Sequence, residues 1–343
     1  MGVEGHFLQG PPSVPWWTIE DETRSMMAEI VGAREDEVVC MNSLTVNLHL
    51  LLAAFYRPTP ERFKILIEPN AFPSDEYAVQ SCAKHHGYDP DVAIVRGDAG
   101  AIGDDVAVVL ISAVQYYTGE FFDVRAVAAR ARARGAVAGF DLAHAVGNVE
   151  LHLHDDDVDF AVWCSYKYLN AGPGGLAGAF VHSRHDVEAM DGALRGWWGN
   201  ARSSRFEMRP TFDPQPGVAG LQLSNPPTIP MLALRDALQI HVKVGMPKIR
   251  AKSRELTARL ETLLRQALGD NFAMLTPEDP NKRGAQLSLL FEPPDFDVDA
   301  IHDHLRKHHI FVDVRRPNVI RVAPAPLYNT LDDIQTFVSR LEE

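Results

Sequence analysis

The sequence has few cysteines, no excess of basic residues and no long uninterrupted apolar run. Cys40, Cys82 and Cys164 lack the paired spacing of a zinc site or a disulfide framework, so we expect reduced, mostly buried thiols and a cytoplasmic protein. The formal net charge of −13 argues against nucleic acid and membrane partners, because both require a basic face. The apolar segment LTVNLHLLLAAFY is interrupted by Asn47 and His49, which argues against a membrane span. These absences favour a small-molecule partner.

Hydrophobic patterning predicts an α/β protein. From about Trp17 to Phe55 the pattern is helical, and Ser43 is the expected N-cap of the second helix. Strands and helices then alternate through FKILIEP, SDEYAVQSCAKHHG, VAVVLISAV, VRAVAARARARG, AVAGFDLA and DFAVWCS. Continuously apolar strands in this rhythm predict a mainly parallel sheet covered on both faces. Ligands of such sheets bind beyond the carboxyl ends of the strands.

The chain is long enough for two domains. Its 343 residues exceed the usual size of one domain, about 150 residues. After LSNPPTIP the pattern changes to a long amphipathic helix over about Lys248 to Leu268, short strands, and a last helix from about Leu331. We therefore expect a large domain over residues 1–230 and a smaller α+β domain over residues 231–343.

Lys167 stands at the end of the apolar run DFAVWCSYK, just before a glycine-rich turn and a second apolar strand, GLAGAFV. A lysine held between two buried strands loses hydration, so its pKa is expected to fall and its amine to become nucleophilic. That is the profile of a lysine that forms a Schiff base. The alternative is a lysine whose aliphatic chain is buried and whose ammonium group reaches water.

Asp141 ends the strand AVAGFD, which precedes the strand that leads to Lys167. An acid and a lysine at neighbouring strand ends suit pyridoxal 5'-phosphate (PLP), because the lysine binds the aldehyde and the carboxylate pairs with the pyridinium nitrogen. The alternative is that Asp141 is an ordinary turn residue. The phosphate needs N–H groups at a helix N-terminus and nearby hydroxyls, and Leu44, Thr45 and Tyr166 offer these.

Three other features have competing interpretations. Arg321 is either a structural ion-pair partner or the bidentate ligand of a substrate carboxylate. His144 is by default a core histidine. The run HLHDDD, from His152 to Asp157, invites a metal site, but a solvated acidic loop is favoured because consecutive aspartates point in different directions.

Long blocks of the sequence resemble one family in order along nearly the whole chain. They include MNSLTVNLHLLLAAFYRPTPERFKILIE, AFPSDEYA, GFDLAHAVGNVELHLHDDDVDFAVWCSYKYLNAGPGGLAGAFVH, RGWWG, LSNPP and RPNVIRVAPAPLYN. Together these blocks are similar to kynureninases, the PLP-dependent hydrolases of tryptophan catabolism. The resemblance implies the PLP-dependent transferase fold of aspartate aminotransferase and a homodimer with shared active sites.

The resemblance also implies a role for individual residues. Lys167 would be the Schiff-base lysine, Tyr166 the tyrosine beside the phosphate and Asp141 the pyridinium partner, and these three residues would be catalytic. Further cofactor contacts are implied for Leu44, Thr45, Phe72, Ser74, Asp75, Ser112 and His144, with Phe72 covering the ring. Trp197 and Asn225 would reach the neighbouring subunit's cofactor. The substrate would be bound by Arg321 at its α-carboxylate and by His6 and Asn225 at its ring.

The sequence departs from the family pattern around the first of these motifs. The chain begins close to the GH pair, whereas family members carry a longer N-terminal region. The uncharged, proline-rich segment FLQGPPSVPWW replaces a basic one, and Asn200 follows GWWG where the family often has histidine. These changes affect the expected substrate pocket more than the cofactor site.

The expected reaction is hydrolysis of the Cβ–Cγ bond of L-kynurenine or a ring-substituted kynurenine to an anthranilate and L-alanine. His6 and Asn225 favour 3-hydroxykynurenine, because a buried polar pair rejects a ring that lacks the hydroxyl. Two alternatives stay open at this point: another PLP reaction on the same fold, such as transamination or β-elimination, and a non-catalytic binding role. No metal is expected.

Overall fold

The structure, a computed structural model, describes residue 15 and residues 17–291 and 297–343. These residues form two compact units. The described residues up to Ala113, together with Asp123–Val146 and Leu151–Lys243, make the first unit. The second unit consists of the described residues of Val114–Phe122, Gly147–Glu150 and Val244–Glu343. The domain boundary expected at residue 230 stays a prediction.

The first unit alternates helices and strands, as its patterning predicts. Its elements are α1 (Ile19–Val31), β1 (Val38–Cys40), α2 (Leu44–Phe55), β2 (Lys64–Ile67), α3 (Pro73–His85), α4 (Pro90–Ala93), β3 (Ile94–Arg96), β4 (Val106–Ser112), α5 (Val124–Ala133), β5 (Val137–Asp141), β6 (Phe160–Trp163), β7 (Gly178–Val181) and α6 (Thr228–Val244). The described residues of this unit form a seven-stranded sheet in the order β1-β7-β6-β5-β4-β2-β3.

The sheet is mainly parallel, which confirms the predicted fold class. Strands β2 to β6 run parallel to one another, whereas β7 is antiparallel to both β6 and β1. Strand β4 is buried from Val106 to Ile111, as expected for a central strand with helices on both faces. Helix α2 packs Leu48, Leu51 and Leu52 into the apolar cluster that also contains residues of β2, β4 and β6.

One prediction in this unit is wrong. A helical pattern with two helices and no strand was expected from about Trp17 to Phe55, but β1 (Val38–Cys40) separates the two helices. Its three residues are buried and pair with β7, so their conformation depends on a partner that is about 140 residues away in the sequence. Ser43 is the N-cap residue of α2, as expected.

Gly178 illustrates how tightly β6 and β7 pack. A Cβ atom at Gly178 would lie 2.2 Å from the indole of Trp163, its partner across the two strands. Trp163 is fully buried. The glycine therefore permits a large aromatic residue in the strand that leads to Lys167.

The second unit is a smaller α+β unit. It contains α7 (Met246–Leu268), β8 (Ala273–Met274), β9 (Leu287–Leu290), α8 (Val298–Lys307), β10 (Asp313–Arg315), β11 (Val319–Val322) and α9 (Leu331–Leu341). Its strands form an antiparallel sheet in the order β10-β11-β9-β8. Leu256 and Leu260 of α7 share one apolar cluster with Phe337 of α9 and with β9 and β11. In the part of the chain that the structure describes, no helix combines the length and apolarity needed to cross a membrane.

Candidate active site

Ser112 and Asp141 end two neighbouring parallel strands and lie side by side at the carboxyl edge of the first sheet. They are register partners between β4 and β5, and Asp141 is in turn paired with Val162 of β6. Lys167 follows β6 at the same edge, because β5 and β6 run parallel. The sheet thus collects a hydroxyl, a carboxylate and an amine where α/β proteins bind ligands.

Asp75 and Asp141 form a buried carboxyl pair. Asp75 lies in the first turn of α3 and donates a hydrogen bond to Asp141, and both side chains are almost inaccessible. Burial raises the pKa of Asp75 well above its usual range, and the neighbouring charge of Asp141 adds to the increase. Burial also raises the pKa of Asp141, although hydrogen bonds from Asp75 and the Ala143 N–H group oppose this. The N–H group of Ala143 lies 2.6 Å from Oδ1 of Asp141.

Glu68 is a third buried carboxyl group at this edge, and the sequence analysis assigned it no role. It follows β2, is 4% exposed, and accepts hydrogen bonds from the hydroxyl and the N–H group of Ser112, the latter at 3.1 Å. Burial raises its pKa, and the charge of Asp141 contributes to the shift. A charged residue directly after the apolar strand KILI was the signal available in the sequence.

Lys167 is half-buried in the loop after β6, so it is less enclosed than the two apolar flanks suggested. The reason is that the loop lies at the open carboxyl edge of the sheet rather than between the strands. The charge of Lys167 acts on both Asp75 and Asp141 and partly opposes the rise that burial causes in their pKa values. Its Nζ atom lies 5.8 Å from the centroid of the Phe72 ring, within cation–π distance.

Two helix N-termini meet beside these residues. Thr45 lies in the first turn of α2 and Ser74 in the first turn of α3, and their hydroxyl oxygens are 2.6 Å apart. Helices α2 and α3 have 12 and 13 residues. The backbone N–H groups in the first turn of such helices attract anions. The first turn of α2 contains no acidic residue. Leu44 opens α2 and packs against the apolar core.

Tyr166 and His144 lie next to the lysine and the aspartate in the sequence. Tyr166 is 48% exposed, and partial burial beside Cys164 raises its pKa to about 12, so its phenol keeps its proton at neutral pH. The ring of His144 lies 6.0 Å from that of Tyr168 at 65°, which places the DLAH turn against the loop that carries Lys167.

The residues at this edge fit PLP. Three buried carboxyl groups with raised pKa values lie at this edge, where additional positive charge would favour their ionised forms. Oδ1 of Asp75 is buried and has no hydrogen-bond partner among the described residues. A protonated pyridine ring would supply both the charge and an N–H donor. The paired helix N-termini and the Thr45 and Ser74 hydroxyls would suit the phosphate.

Trp197, Asn200 and Asn225 belong to the segment between β7 and α6 of the first unit. Trp197 is 45% exposed and donates its indole N–H to the carbonyl of Arg205 at 3.2 Å. Asn225 is exposed in the segment before α6. The amide of Asn200 accepts from the Asp213 N–H group at 2.9 Å and donates to Ser204 at 3.1 Å, so it fixes a local turn.

Arg321 lies in β11 of the second unit. Its Nε atom donates to Oδ2 of Asp313 at 2.7 Å, and an Nη group donates to the carbonyl of Tyr116. Its side chain is 11% exposed. These contacts fix the guanidinium plane, and its role in substrate binding stays a prediction. His6 lies outside the described residues.

The acidic run after His152 is largely ion-paired rather than free in solvent. Asp156 pairs with Arg125 at 2.7 Å, and Asp157 pairs with Arg132 and Arg184. Asp155, also in the run, is exposed. The carboxylates of Asp156 and Asp157 are occupied by guanidinium groups, which explains why neither needs a metal ion.

Comparisons with known proteins identify relatives of this chain. The family model "Kynureninase C-terminal domain" matches residues 249–341. A kynureninase of Nematostella vectensis is 48% identical over 99% of this chain and 78% of its own length. A kynureninase of Xanthomonas campestris pv. campestris (strain B100) is 47% identical over 100% of this chain and 84% of its own length.

Solved structures with low sequence identity share the fold. A cysteine desulfurase of Escherichia coli superposes with a TM-score of 0.80 at 17% identity, over 98% of this chain and 87% of that one. The apo cysteine desulfurase of Thermococcus onnurineus NA1 gives a TM-score of 0.78 at 17% identity, over 95% of this chain and 84% of that one. The fold is therefore the aspartate aminotransferase-like fold of PLP enzymes, as the sequence predicts.

Proposed function

The chain belongs to the kynureninase family of PLP-dependent hydrolases, and we propose that Lys167, Asp141 and Tyr166 carry its cleavage of the Cβ–Cγ bond of kynurenine. The products would be an anthranilate and L-alanine. One observation supports this assignment above the others: a half-buried lysine faces a hydrogen-bonded pair of buried carboxyl groups at the carboxyl edge of the sheet.

The carboxyl groups would hold the pyridine end of the cofactor. Asp141 accepts a hydrogen bond from the Ala143 N–H group, which fixes its orientation and favours its charged form. Asp75 keeps its proton and donates a hydrogen bond to Asp141. When a cationic ring binds, the pair can become fully ionised. Glu68 would keep Ser112 in place beside it through two hydrogen bonds.

The phosphate end would lie over the N-termini of α2 and α3. Thr45 and Ser74 supply hydroxyls there, and Tyr166 supplies a phenol. Phe72 is 41% exposed at the start of α3, where its ring is available to stack on a flat ligand. His144 and Leu44 complete the proposed set of cofactor contacts.

The reaction would then depend on proton transfers by this chain's own side chains. PLP, when bound, supplies an electron sink for the negative charge that develops at the substrate Cα atom. Lys167 provides the primary amine that removes the proton from Cα. Tyr166 keeps its proton because of its raised pKa, so it can donate a proton to the departing fragment or orient the attacking water. Arg321 would bind the substrate α-carboxylate through its planar fork.

The test is product analysis with a matched lysine control. Purified protein is incubated with PLP and L-kynurenine, and anthranilate is followed by fluorescence while alanine is quantified. Lys167→Ala should abolish the signal, whereas Lys248→Ala, at an exposed position of α7, should leave it unchanged. Pyruvate or a keto acid in place of alanine would show a different PLP reaction. Absence of any turnover by the parent would favour a binding role.

Borohydride reduction locates the cofactor independently of turnover. We expect peptide mapping of the reduced holoenzyme to place the pyridoxyl group on Lys167. A label on any other lysine would refute the assignment.

We also propose a cytoplasmic homodimer with shared active sites, because Trp197 and Asn225 are exposed on the single chain. Each single variant, Lys167→Ala or Trp197→Ala, should be inactive. Their mixed dimer contains one site with both parental residues, so co-refolding should restore about a quarter of parental activity. A monomer in solution, or no recovery on mixing, would contradict sharing.

A further inference from the structure

Two helices of the second unit bring together three side chains that the proposed reaction does not use. His304 lies in α8 and His308 directly follows that helix, so the two residues are one helical turn apart on the same face. Their ring centroids are 4.9 Å apart. Glu343 follows α9, and one ligand atom from each of the three residues lies within 4.8 Å of the others.

The contacts of His304 and Glu343 are incomplete. Nε2 of His304 is shielded from solvent and makes no hydrogen bond to a residue that the structure describes. Oε2 of Glu343 lies 3.9 Å from it, too far for a hydrogen bond. The other carboxylate oxygen of Glu343, Oε1, accepts a hydrogen bond from Arg340 at 2.5 Å. Oε2 is therefore the oxygen that lies nearer His304. A buried imidazole nitrogen without a partner is unusual, and a ligand would satisfy it.

We propose that His304, His308 and Glu343 form a binding site for a divalent transition-metal ion, with zinc as the best match. Two imidazoles and one carboxylate are a typical zinc donor set, and a water molecule can take the fourth position. Two ligands of a tetrahedral zinc ion are about 3.3 Å apart, because each bond is about 2.0–2.1 Å long. Nε2 of His304 and Oε2 of Glu343, 3.9 Å apart, would therefore have to approach by about 0.6 Å, and no pair of ligand atoms would have to close by more than about 1.5 Å, because all three lie within 4.8 Å of one another. Rotation of the exposed side chains of His308 and Glu343 provides this movement.

A metal ion here would join the end of α9 to α8. It would bind the folded second unit and not the unfolded chain, so it would stabilise that unit in proportion to the free metal concentration. The site would not take part in the chemistry at the first sheet. Its effect would be to stabilise the packing of α9 against α8 when the metal is bound.

The second histidine cluster among the described residues differs in its hydrogen bonds. Glu37, His154 and His182 also place ligand atoms within 4.8 Å of one another. The carboxylate of Glu37, however, accepts from the Ser183 N–H group at 2.8 Å, from His154 at 2.8 Å and from the Arg34 N–H group at 2.9 Å. These hydrogen bonds outweigh burial and hold the pKa of Glu37 below its usual value. Its oxygens are already occupied, so this cluster is a hydrogen-bond network.

The experiment titrates zinc into the metal-stripped holoenzyme. Full-length protein loaded with PLP is treated with EDTA, desalted, and titrated with zinc sulfate against a zinc-sensitive dye. We expect one equivalent to bind, and we expect the double variant His304→Ala/His308→Ala to lose it. Glu343→Gln should weaken binding about tenfold or more, since it removes the only charged ligand. His302→Ala and His309→Ala are matched controls from the same histidine-rich segment and should bind as the parent does.

A stability measurement provides the second readout. Zinc should raise the thermal midpoint of the parent and of the two control variants, but not that of the double variant. Equal binding by the parent and the double variant would overturn the proposal, because the ion would then lie elsewhere. Failure of the parent to bind a stoichiometric zinc ion at micromolar concentration would overturn it as well. Neither result bears on anthranilate formation, so this test is independent of the proposed reaction.

Discussion

Asp75 donates a hydrogen bond to Asp141 although the two residues belong to elements more than sixty positions apart in the sequence. Asp75 opens α3, and Asp141 ends β5. Burial raises the pKa of both carboxyl groups. The charge of Asp141 raises the pKa of Asp75 further, whereas the hydrogen bond from Asp75 opposes the rise at Asp141. The folded state is therefore stabilised when one carboxyl group of this pair is protonated or when a cation binds to the pair.

This pair predicts a pH-dependent stability of the cofactor-free protein. Because the folded-state pKa of Asp75 is raised, its contribution is fully present below its ordinary value of 3.8 and is lost as the pH rises through the folded-state value. We expect Asp75→Asn to raise the thermal midpoint of the apoprotein at neutral pH and to have little effect near pH 4. Thermal scans across pH are the measurement, with exposed Asp91→Asn as the control. An apoprotein destabilised by Asp75→Asn at pH 8 would contradict the assignment.

The pyridinium assignment predicts a different result for Asp141. Asp141→Ala removes the charge that would keep the ring protonated, so we expect kcat to fall by about two orders of magnitude or more with the fold intact. Asp141→Glu should lose less, because it keeps the charge at a displaced position. Steady-state kinetics together with circular dichroism test both variants. A folded Asp141→Ala variant with near-parental turnover would show that the carboxylate does not act on the ring.

The sequence predicted five of the seven strands of the first sheet, β2 and β4 to β7, and the edge at which Asp141, Ser112 and Lys167 lie, because apolar strands of four to seven residues and their ends are local features. The three-residue strands β1 and β3 were not predicted. Strand β1 was missed because three residues become a strand only when β7 pairs with them. Glu68 was missed because a glutamate after a strand is usually solvent-exposed. Only the packing of β2 beside β4 buries it against Ser112.

The partial exposure of Lys167 could not be predicted for a related reason. The apolar flanks DFAVWCS and GLAGAFV are buried strands, as expected, but the loop between them extends beyond the sheet. Sequence patterns predict which strands are buried. They do not predict how exposed the residues of the connecting loop are. The hydrogen bond between Thr45 and Ser74 likewise depends on how two helices meet, which no local pattern contains.

Arg321 is expected to bind the substrate carboxylate by two charge-assisted hydrogen bonds, each worth roughly 1.5–3 kcal/mol. Arg321→Lys should therefore raise KM about tenfold or more, because an ammonium cannot reproduce the planar fork. Asp313→Asn should have a smaller effect in the same direction, since Asp313 orients the guanidinium at 2.7 Å. Substrate titrations of both variants test this. Unchanged kinetic constants in Arg321→Lys would remove Arg321 from substrate binding.

The last prediction concerns the substrate ring. In the family that the sequence resembles, a histidine of the GH pair and an asparagine of the SNPP motif line the ring pocket, and His6 and Asn225 hold these positions here. Asn225 is exposed on the single chain, so in the proposed homodimer its amide would be available to the other subunit's site. Two polar side chains that hydrogen-bond a ring hydroxyl lose their partner when the bound ring has no hydroxyl. The unsatisfied hydrogen-bonding groups then weaken binding.

We therefore expect kcat/KM to favour 3-hydroxykynurenine over kynurenine by about tenfold or more. Asn225→Thr should reduce that ratio, because the shorter hydroxyl cannot span the same distance as the amide. His6→Phe should reduce it as well, and the two effects should not add if both residues contact the same hydroxyl. Asn200→Thr, which alters a hydrogen-bonded turn in the same unit, is the control for indirect effects. A parent protein that prefers kynurenine without a ring hydroxyl, or a kcat/KM ratio that is unchanged in Asn225→Thr, would mean that other side chains recognise the ring.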